Sequence, residues 1–216
     1  MKKPSVGIAP EGAPFIGMAA FTALLLAILE CWPLAILFWL AAVFAIYFFR
    51  NPERVIAQGP GIAASPADGT IVKIENRPDP FGGETRQCVS IFMSVFNVHV
   101  NRSPIKAEVR AIDYFPGKFF NASLDKASTD NERCAWLLQN ASESWTMVQI
   151  AGLIARRIVP WAEPGDTLAR GERIGLIRFG SRVDLYLPKE YTPAVSLGAK
   201  VYAGQTVIAR KSGASS

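Results

Sequence analysis

The sequence predicts a mainly β body preceded by an apolar helical hairpin. Half of its 216 residues are hydrophobic and 19% are charged, which excludes a disordered chain. The hydrophobic excess lies between Phe15 and Phe49, where Glu30 is the one charged residue. From Arg50 onward, short apolar runs alternate with turns rich in glycine and proline, as in sheet proteins. A membrane-attached β domain is therefore expected.

Pro33 divides the apolar segment into two helices. A single helix over Phe15–Phe49 would be about 52 Å long, well beyond the hydrocarbon core of a bilayer. Proline interrupts a helix because it lacks the amide hydrogen and its ring collides with the preceding turn. We therefore expect helices over Phe15–Leu29 and Leu34–Phe49, packed as a hairpin. Each helix is slightly short for a full span, so a shallow or re-entrant hairpin and two crossings of the bilayer are both open.

Basic residues flank both ends of this hairpin, with Lys2 and Lys3 before it and Arg50 and Arg54 after it. Positive charge favours the cytoplasmic side, so residues 1–49 are expected to anchor the protein at the cytoplasmic face of the cell membrane. A cleaved signal peptide is the alternative. The second apolar run, and the absence of a small-residue cleavage site before a polar start, argue against it.

Residues 50–216 are expected to form the β-rich body. Seven runs have the β-branched content and bounding turns of strands: Thr70–Glu75, Cys88–Val95, Ala107–Tyr114, Thr146–Ala151, Ile154–Val159, Ile174–Phe179 and Val183–Leu187. The polar stretch Pro116–Arg133 lacks periodicity and is expected to be a long loop.

A pattern of two glycines and two apolar residues occurs twice, at Gly165–Ile174 and Gly198–Val207. Glycines at this spacing permit turns with positive φ between very short strands, whose apolar residues point inward. The pattern resembles the barrel-sandwich of biotinyl and lipoyl carrier domains, and a barrel-sandwich-like fold is expected. A carrier function is disfavoured, because carriers need a lysine at a hairpin tip, usually beside methionine, and here only the initiator Met1 adjoins a lysine.

Composition also limits the ligands. A net charge of +5 suits an anionic membrane surface or an anionic substrate. The basic residues form no block and no aromatic ladder accompanies them, so no nucleic-acid partner is expected. With one histidine and three cysteines that lack CxxC spacing, no metal site is expected, and the cysteines should be reduced.

Three residues could carry acid–base or nucleophilic chemistry. His99 ends an apolar strand, Asp68 lies in a Pro-Ala-Asp-Gly turn, and Ser181 follows Gly180 between two strand-like runs. Each also has an ordinary structural explanation: a packed histidine, a turn-forming aspartate and a hairpin turn. None of them decides the function on its own.

Five segments, taken together and in order, resemble the phosphatidylserine decarboxylase family, particularly its short bacterial and archaeal form. They are Phe49-Arg50-Asn51-Pro52, Ser65-Pro66-Ala67-Asp68-Gly69, the run from Phe92 to Arg102, Asn131-Glu132-Arg133 and Phe179-Gly180-Ser181-Arg182-Val183-Asp184. The resemblance extends from the membrane segment to about Arg210, and five segments in register beside a hairpin anchor are specific.

The resemblance implies a proenzyme that makes a pyruvoyl cofactor from its own Ser181. The serine hydroxyl attacks the carbonyl of Gly180, the resulting ester eliminates to dehydroalanine, and hydrolysis leaves a pyruvoyl group and ammonia. His99 is then the general base and Asp68 the carboxylate that orients it. The products are chains of residues 1–180 and 181–216, expected to remain together as a heterodimer, with further oligomerisation left open.

The mature enzyme is expected to decarboxylate phosphatidylserine to phosphatidylethanolamine and CO2, with the pyruvoyl carbonyl condensing with the substrate amine. A membrane anchor suits this substrate because a phospholipid leaves the bilayer only at great cost. Arg102, Lys118, Lys126 and Arg133 are candidates for binding its phosphate or carboxylate, although each is also explained as a surface charge.

Two other functions fit part of the sequence. A non-catalytic, membrane-tethered adaptor would keep the hairpin and the glycine repeat but would not need His99, Asp68 and Gly180-Ser181 together. A pyruvoyl decarboxylase for a soluble amino acid would keep those residues, but the apolar segment argues against it.

Overall fold

The computed structural model describes residues 7–117, 131–141, 143–152, 157–178 and 180–213. They belong to two units, Pro4–Glu53 and Arg54–Ser216. Most of the predicted loop over Pro116–Arg133 lies outside the described residues, and so do Lys118 and Lys126.

The N-terminal unit is a helical hairpin. Helix α1 (Ala13–Ile28) follows a 3₁₀ turn at Pro10–Gly12, and helix α2 (Trp32–Phe48) begins one residue before Pro33. Proline is accepted in the first turn of a helix, where its missing amide hydrogen has no partner to lose, so the predicted interruption is also a helix start. Two short strands, β1 (Gly7–Ile8) and β2 (Arg50–Asn51), pair antiparallel and join the ends of the hairpin.

The two helices bury mostly alanine and expose many large apolar residues. Their buried positions are Ala23, Ala35, Ala42, Ala45 and Phe48, whereas Met18, Phe21, Ile28, Trp39 and Leu40 are each more than half exposed. Water would favour the opposite arrangement, so this pattern is typical of helices that pack together in lipid. Among the described residues, the helical segment Pro10–Ile28 is long and apolar enough to cross a bilayer, and Trp32–Phe48 is shorter. The composition and the exposed apolar side chains of the N-terminal unit therefore indicate membrane association.

The second unit is built of short antiparallel strands. In chain order they are β3 (Ile62–Ala64), β4 (Gly69–Pro78), β5 (Thr85–Met93), β6 (Val100–Arg102), β7 (Ala107–Phe115), β8 (Arg133–Asn140), β9 (Glu143–Ala151), β10 (Ile158–Pro160), β11 (Thr167–Leu168), β12 (Arg173–Ile177), β13 (Ser181–Tyr186), β14 (Tyr191–Pro193), β15 (Lys200–Val201) and β16 (Val207–Lys211). One eight-stranded sheet has the order β11-β7-β8-β9-β13-β5-β4-β15, and two three-stranded sheets have the orders β10-β12-β6 and β14-β16-β3. The predicted mainly β class is confirmed.

Each of the seven predicted runs overlaps an observed strand, although residues 154–156 of one run and Phe179 of another lie outside the described residues. Strand β8 is absent from the prediction because it directly follows the polar stretch and does not alternate between apolar and polar residues. Three consecutive residues, Cys134, Ala135 and Trp136, are buried in it, so its two faces are both covered.

The body repeats its own architecture. All four glycines of the predicted repeat have positive φ, between +75° and +95°, as expected: Gly165, Gly171, Gly198 and Gly204. The first strand of each copy, β11 or β15, forms one edge of the large sheet, and the second, β12 or β16, is the centre of a small sheet. A Ser-Pro turn is also duplicated, since the hydroxyls of Ser65 and Ser103 each donate to the carbonyl two residues later. This two-fold arrangement brings β9 and β13 together at the middle of the large sheet.

The side chains of β13 alternate between two covered faces. Val183 and Leu185 belong to the main core, which also contains Trp136 and Trp145. Tyr186 packs on the opposite face with Cys88, Val148 and Ile150. All six residues of the strand are buried, so whatever chemical group begins β13 is enclosed by the fold.

Candidate active site

Ser181 is the first residue of β13. It lies opposite Met93 of β5 on one side and Ala151 of β9 on the other. Its side chain is fully buried, and its hydroxyl donates a hydrogen bond to the Sδ atom of Met93 at 3.3 Å. A thioether is a weak acceptor, so this contact holds the hydroxyl in place without taking its proton.

Gly180 presents a backbone carbonyl next to this hydroxyl. Its φ of +65° is a left-handed conformation that a β-carbon disfavours. Space is not the constraint, because the nearest described atom to an added Cβ would be Cγ1 of Val95 at 4.0 Å. The Gly180 carbonyl accepts a hydrogen bond from the Gly152 N–H at 3.0 Å, and the Gly180 N–H donates to Nε2 of His99 at 3.2 Å.

His99 reaches Gly180 from a neighbouring sheet. It directly precedes β6, which pairs with β12, and its carbonyl accepts a hydrogen bond from the Ile177 N–H at 3.3 Å. Its Nδ1 atom lies 3.0 Å from the carbonyl oxygen of Asn97. Because Nε2 accepts a hydrogen bond, this network assigns a proton to Nδ1 and directs the lone pair of Nε2 at the Gly180 N–H. His99 is only 2% exposed, so a buried imidazole lies beside the Gly180-Ser181 pair.

Asp68 lies in the turn between β3 and β4, with 4% of its surface exposed. Its Oδ1 atom accepts a hydrogen bond from the Ala203 N–H, and its Oδ2 atom accepts one from Arg54, both at 2.7 Å. The guanidinium of Arg54 also donates to Oε1 of Gln205 at 2.7 Å. These contacts hold the carboxylate in one orientation. Its role as the group that orients His99 stays a prediction.

A chain of buried polar side chains leads through the core to Met93, the acceptor of the Ser181 hydroxyl. Nε1 of Trp136 donates to Oε1 of Gln149, and Nε2 of Gln149 donates to Oδ1 of Asn101, both at 2.8 Å. Nδ2 of Asn101 lies 3.7 Å from Sδ of Met93. Asn101 belongs to one of the five family segments, but nothing in the sequence marks Gln149, which lies 48 residues further along the chain.

The predicted substrate-binding residues have the following positions. Arg102 is 6% exposed, and its guanidinium donates to the Gly171 carbonyl at 2.7 Å. Arg133 lies with its guanidinium carbon 4.5 Å from the ring centre of Phe115, and both residues line a cavity of about 360 Å³. Lys118 lies outside the described residues. A role of these residues in substrate binding stays a prediction.

Two cysteines of the body are buried and free, Cys88 and Cys134. Burial, with a smaller effect of Asp113, raises the pKa of Cys134 to about 12. Burial, with a smaller effect of Asp184, raises the pKa of Cys88 well above its usual value. Both groups are therefore protonated at neutral pH and are poor nucleophiles. Within the described part of the chain, no three histidine, cysteine or acidic side chains are grouped as metal ligands would be.

The fold and the site together define a class of protein: a mainly β chain with an apolar hairpin and a Gly-Ser pair whose buried serine lies beside a buried histidine. Comparison with known proteins supplies the family. The sequence model described as phosphatidylserine decarboxylase matches residues 41–209. The chain belongs to the phosphatidylserine decarboxylase family, so the resemblance noted in the sequence is confirmed.

Similar proteins match nearly the whole chain. The phosphatidylserine decarboxylase proenzyme of Oleidesulfovibrio alaskensis is 60% identical, over 98% of this chain and 97% of its own length. The protein of that name from Nitratidesulfovibrio vulgaris is 58% identical, over 98% of each chain. The one from Burkholderia cenocepacia is 50% identical, over 97% of this chain and 98% of its own. Each of these relatives is named as a proenzyme.

Proposed function

We propose that this chain is the precursor of an enzyme that decarboxylates phosphatidylserine to phosphatidylethanolamine and CO2. It first splits itself between Gly180 and Ser181. Family membership supports the activity, and the proenzyme names of its relatives support self-cleavage. The observation that carries the site is the 3.2 Å contact between Nε2 of His99 and the amide nitrogen of Gly180, directly beside a buried serine.

In self-cleavage, Ser181 is the nucleophile and His99 is the base. The hydroxyl turns away from Met93, its oxygen bonds to the carbonyl carbon of Gly180, and its proton passes to Nε2 of His99. The C–N bond between Gly180 and Ser181 then breaks, and the freed amino group takes the proton. An ester of the serine hydroxyl remains. The burial of Ser181 and His99 favours this internal transfer because it limits the water around the nucleophile and the base.

The ester then splits by elimination. Residue 181 loses its Cα hydrogen as a proton, the Cβ–O bond breaks, and Gly180 leaves as a carboxylate. Water converts the resulting dehydroalanine into a pyruvoyl group and ammonia. The chain is thereby divided into residues 1–180 and 181–216.

The start of β13 suits a pyruvoyl group. Residue 181 is fully buried, and Met93 and Ala151 of the two adjacent strands hold it from both sides. When formed, the group supplies an electrophilic carbonyl that binds the substrate amine and accepts the electron pair released with CO2. His99, next to this position, would hold at Nε2 the proton that the substrate carbon requires.

Asp68 is proposed as the carboxylate that supports the protonated ring of His99. Its negative charge lies in a nearly water-free turn and is kept in one orientation by Arg54 and the Ala203 N–H. A charge acts more strongly in such a low-dielectric interior than at the surface.

The two product chains are proposed to remain together as a heterodimer. Each of the six residues of β13 pairs with β5 on one side and with β9 on the other, and both of these strands belong to the longer product. Cutting one peptide bond removes none of these ladders. The duplicated glycine turns around this sheet also support a barrel-sandwich-like body for residues 50–216.

The enzyme is proposed to act at the cytoplasmic face of the cell membrane, held by residues 1–49. The exposed large apolar side chains of the helices and the basic flanks of the hairpin support this location. Arg102, Lys118 and Arg133 are the cations proposed to meet the phosphate or carboxylate of the substrate.

Intact-mass measurement of the purified protein, combined with an assay on phosphatidylserine vesicles, tests the proposal. We expect two chains, the shorter beginning with a pyruvoyl group that blocks Edman sequencing, and release of CO2 from the lipid. Ser181→Ala should remain one chain and be inactive. A full-length single chain that decarboxylates would contradict the cofactor. A single inactive chain would support the adaptor, and split chains that act only on a soluble amino acid would overturn the lipid substrate.

A further inference from the structure

The peptide group between Ala151 and Gly152 contacts the bond that is proposed to split. Its N–H, from Gly152, donates a hydrogen bond to the carbonyl oxygen of Gly180 at 3.0 Å. Its own carbonyl, from Ala151, accepts a hydrogen bond from Nδ2 of Asn131 at 2.7 Å. A single peptide group thus connects a buried amide side chain to the reacting carbonyl.

This connection is enclosed and fixed. Ala151 and Asn131 are fully buried, and Gly152 is buried as well. The Ala151 N–H donates to the Glu132 carbonyl at 2.9 Å, so the backbone is also held on the preceding side. Hydrogen bonds in series polarise one another, so the bond from Asn131 makes the Gly152 N–H a stronger donor.

We propose that the Gly152 N–H is the oxyanion donor for self-cleavage and that Asn131 is the positioning residue that orients it. When Oγ of Ser181 bonds to the carbonyl carbon, the electron pair of the C=O double bond moves onto the Gly180 oxygen, at which this N–H points. The same N–H then faces the carboxylate of Gly180 as that group leaves. The inference rests on the proposed self-cleavage at this bond.

A plain β-ladder contact is the competing explanation, because Ala151 pairs with Ser181 one position earlier in the β9–β13 ladder. The ladder changes here, however. The Gly180 N–H donates to the side chain of His99, whereas the Gly152 N–H donates to the Gly180 carbonyl, the one that is proposed to react. A ladder bond stabilises the folded state, whereas an oxyanion donor lowers the barrier of the reaction, and experiment separates these effects.

The first test removes the donor itself. Gly152→Pro deletes the N–H, and Gly152→Ala, which retains it, is the matched control. In a time course of chain splitting after cell-free synthesis, the proline variant should split roughly a hundredfold or more slowly than the alanine variant. Circular dichroism checks that each variant is folded.

If Gly152→Pro does not fold, the same N–H can be removed by changing the backbone instead of the side chain. Native chemical ligation at Cys134 joins residues 1–133 to a synthetic segment of residues 134–216 whose Ala151–Gly152 amide is replaced by an ester. This replacement removes the same N–H with little change of shape. A folded protein that lacks the N–H and splits at the rate of its N–H-bearing counterpart overturns the proposal.

The third test addresses Asn131. Asn131→Asp, which keeps the volume, and Asn131→Leu, which keeps the branching at Cγ, both remove the donor to the Ala151 carbonyl and should slow splitting by roughly tenfold or more. Thr146→Val is the control. It loses a buried hydrogen bond to Asp79, 3.1 Å long, on the same strand β9, and should lower stability without slowing the reaction. Splitting at the wild-type rate in a folded Asn131 variant overturns its assignment.

Hydroxylamine identifies the affected step, because it cleaves esters much faster than peptide bonds. If the Gly152 N–H assists ester formation, hydroxylamine should not restore splitting to Gly152→Pro or to the Asn131 variants. Restoration to the wild-type rate would show that the ester forms without this N–H and would overturn the proposal. Failure of self-cleavage itself would be recognised by a different result, in which the wild-type protein stays intact with and without hydroxylamine.

Discussion

Nε2 of His99 accepts the amide hydrogen of Gly180 at 3.2 Å, one residue before the proposed nucleophile. The Ser181 hydroxyl meanwhile donates to Met93. In the resting chain His99 and Ser181, the proposed base and nucleophile, therefore have different hydrogen-bond partners. The serine side chain must turn before its proton can reach the histidine. This rotation of the Ser181 side chain is therefore a required first step of the proposed self-cleavage.

His99→Ala should fold but not split. His99 is the only histidine of the sequence, and no other side-chain type titrates near neutrality without a large shift. A time course of splitting, with circular dichroism to confirm folding, measures the effect. Added imidazole can occupy the vacated space and should restore part of the rate. Splitting of the folded variant at the wild-type rate would exclude His99 as the base.

Asp68→Asn should slow splitting without abolishing it, because His99 remains while the supporting charge is lost. Loss of such a buried carboxylate is worth about a hundredfold to ten-thousandfold in rate. Asp166→Asn is the matched control, since Asp166 also accepts a backbone N–H in a turn, that of Glu163, but in an exposed hydrogen bond. Equal rates for Asp68→Asn and Asp166→Asn would remove Asp68 from the mechanism.

Gly180→Ala should impair splitting more than Gly180→Asn. The left-handed conformation of Gly180 costs a residue with a β-carbon about 1–2 kcal/mol, and asparagine tolerates it better. Gly83→Ala is the control, because Gly83 has a similar φ of +68° with open space around it. It should lower stability alone. Rates of splitting and midpoints of thermal unfolding distinguish the two effects, and equal rates for alanine and asparagine at position 180 would contradict the conformational explanation.

Deletion of residues 1–49 should give a more soluble protein that still splits. The main core of the body draws its residues from Ala63 to Ala209, and none comes from the helices. Activity on phosphatidylserine in bilayers should fall far more than activity on a short-chain, water-dispersed phosphatidylserine. Both activities are measured as CO2 release. Unchanged activity on bilayers would contradict the anchor.

Stability should fall as pH rises above 9, because the buried thiols ionise only in the unfolded chain. Burial raises the pKa of Cys134 to about 12. The stability that comes from keeping this thiol protonated in the folded state is fully present below pH 9 and is lost as pH approaches 12. At pH 10.5 the loss from this group is roughly 2 kcal/mol.

Guanidinium unfolding at pH 8 and pH 10.5 measures this loss, with the Ser181→Ala background keeping the chain covalently intact. Cys134→Ala should reduce the difference between the two pH values. Cys31→Ala is the control, because Cys31 is exposed and should leave the difference unchanged. An equal pH dependence in all three proteins would show that Cys134 does not carry it.

The sequence alone determined the features that depend on residue type and chain order. Pro33 marks the start of the second helix because proline cannot occupy a helix interior, and the four repeat glycines adopt positive φ because other residues resist it. The chemical identity of His99 and the Gly180-Ser181 pair likewise selected the candidate site, and the family segments are contiguous runs that a sequence displays directly.

Only the tertiary structure decided which atoms meet. His99 and Gly180 are 81 residues apart, and their contact depends on the pairing of β6 with β12 and on the left-handed turn before β13. Asn131 and the Ala151–Gly152 peptide meet through the register of β8, β9 and β13. A backbone N–H is present at nearly every residue, so no sequence pattern can single out the one that faces a reacting carbonyl. Sheet register makes that selection because it alone fixes distances between strands.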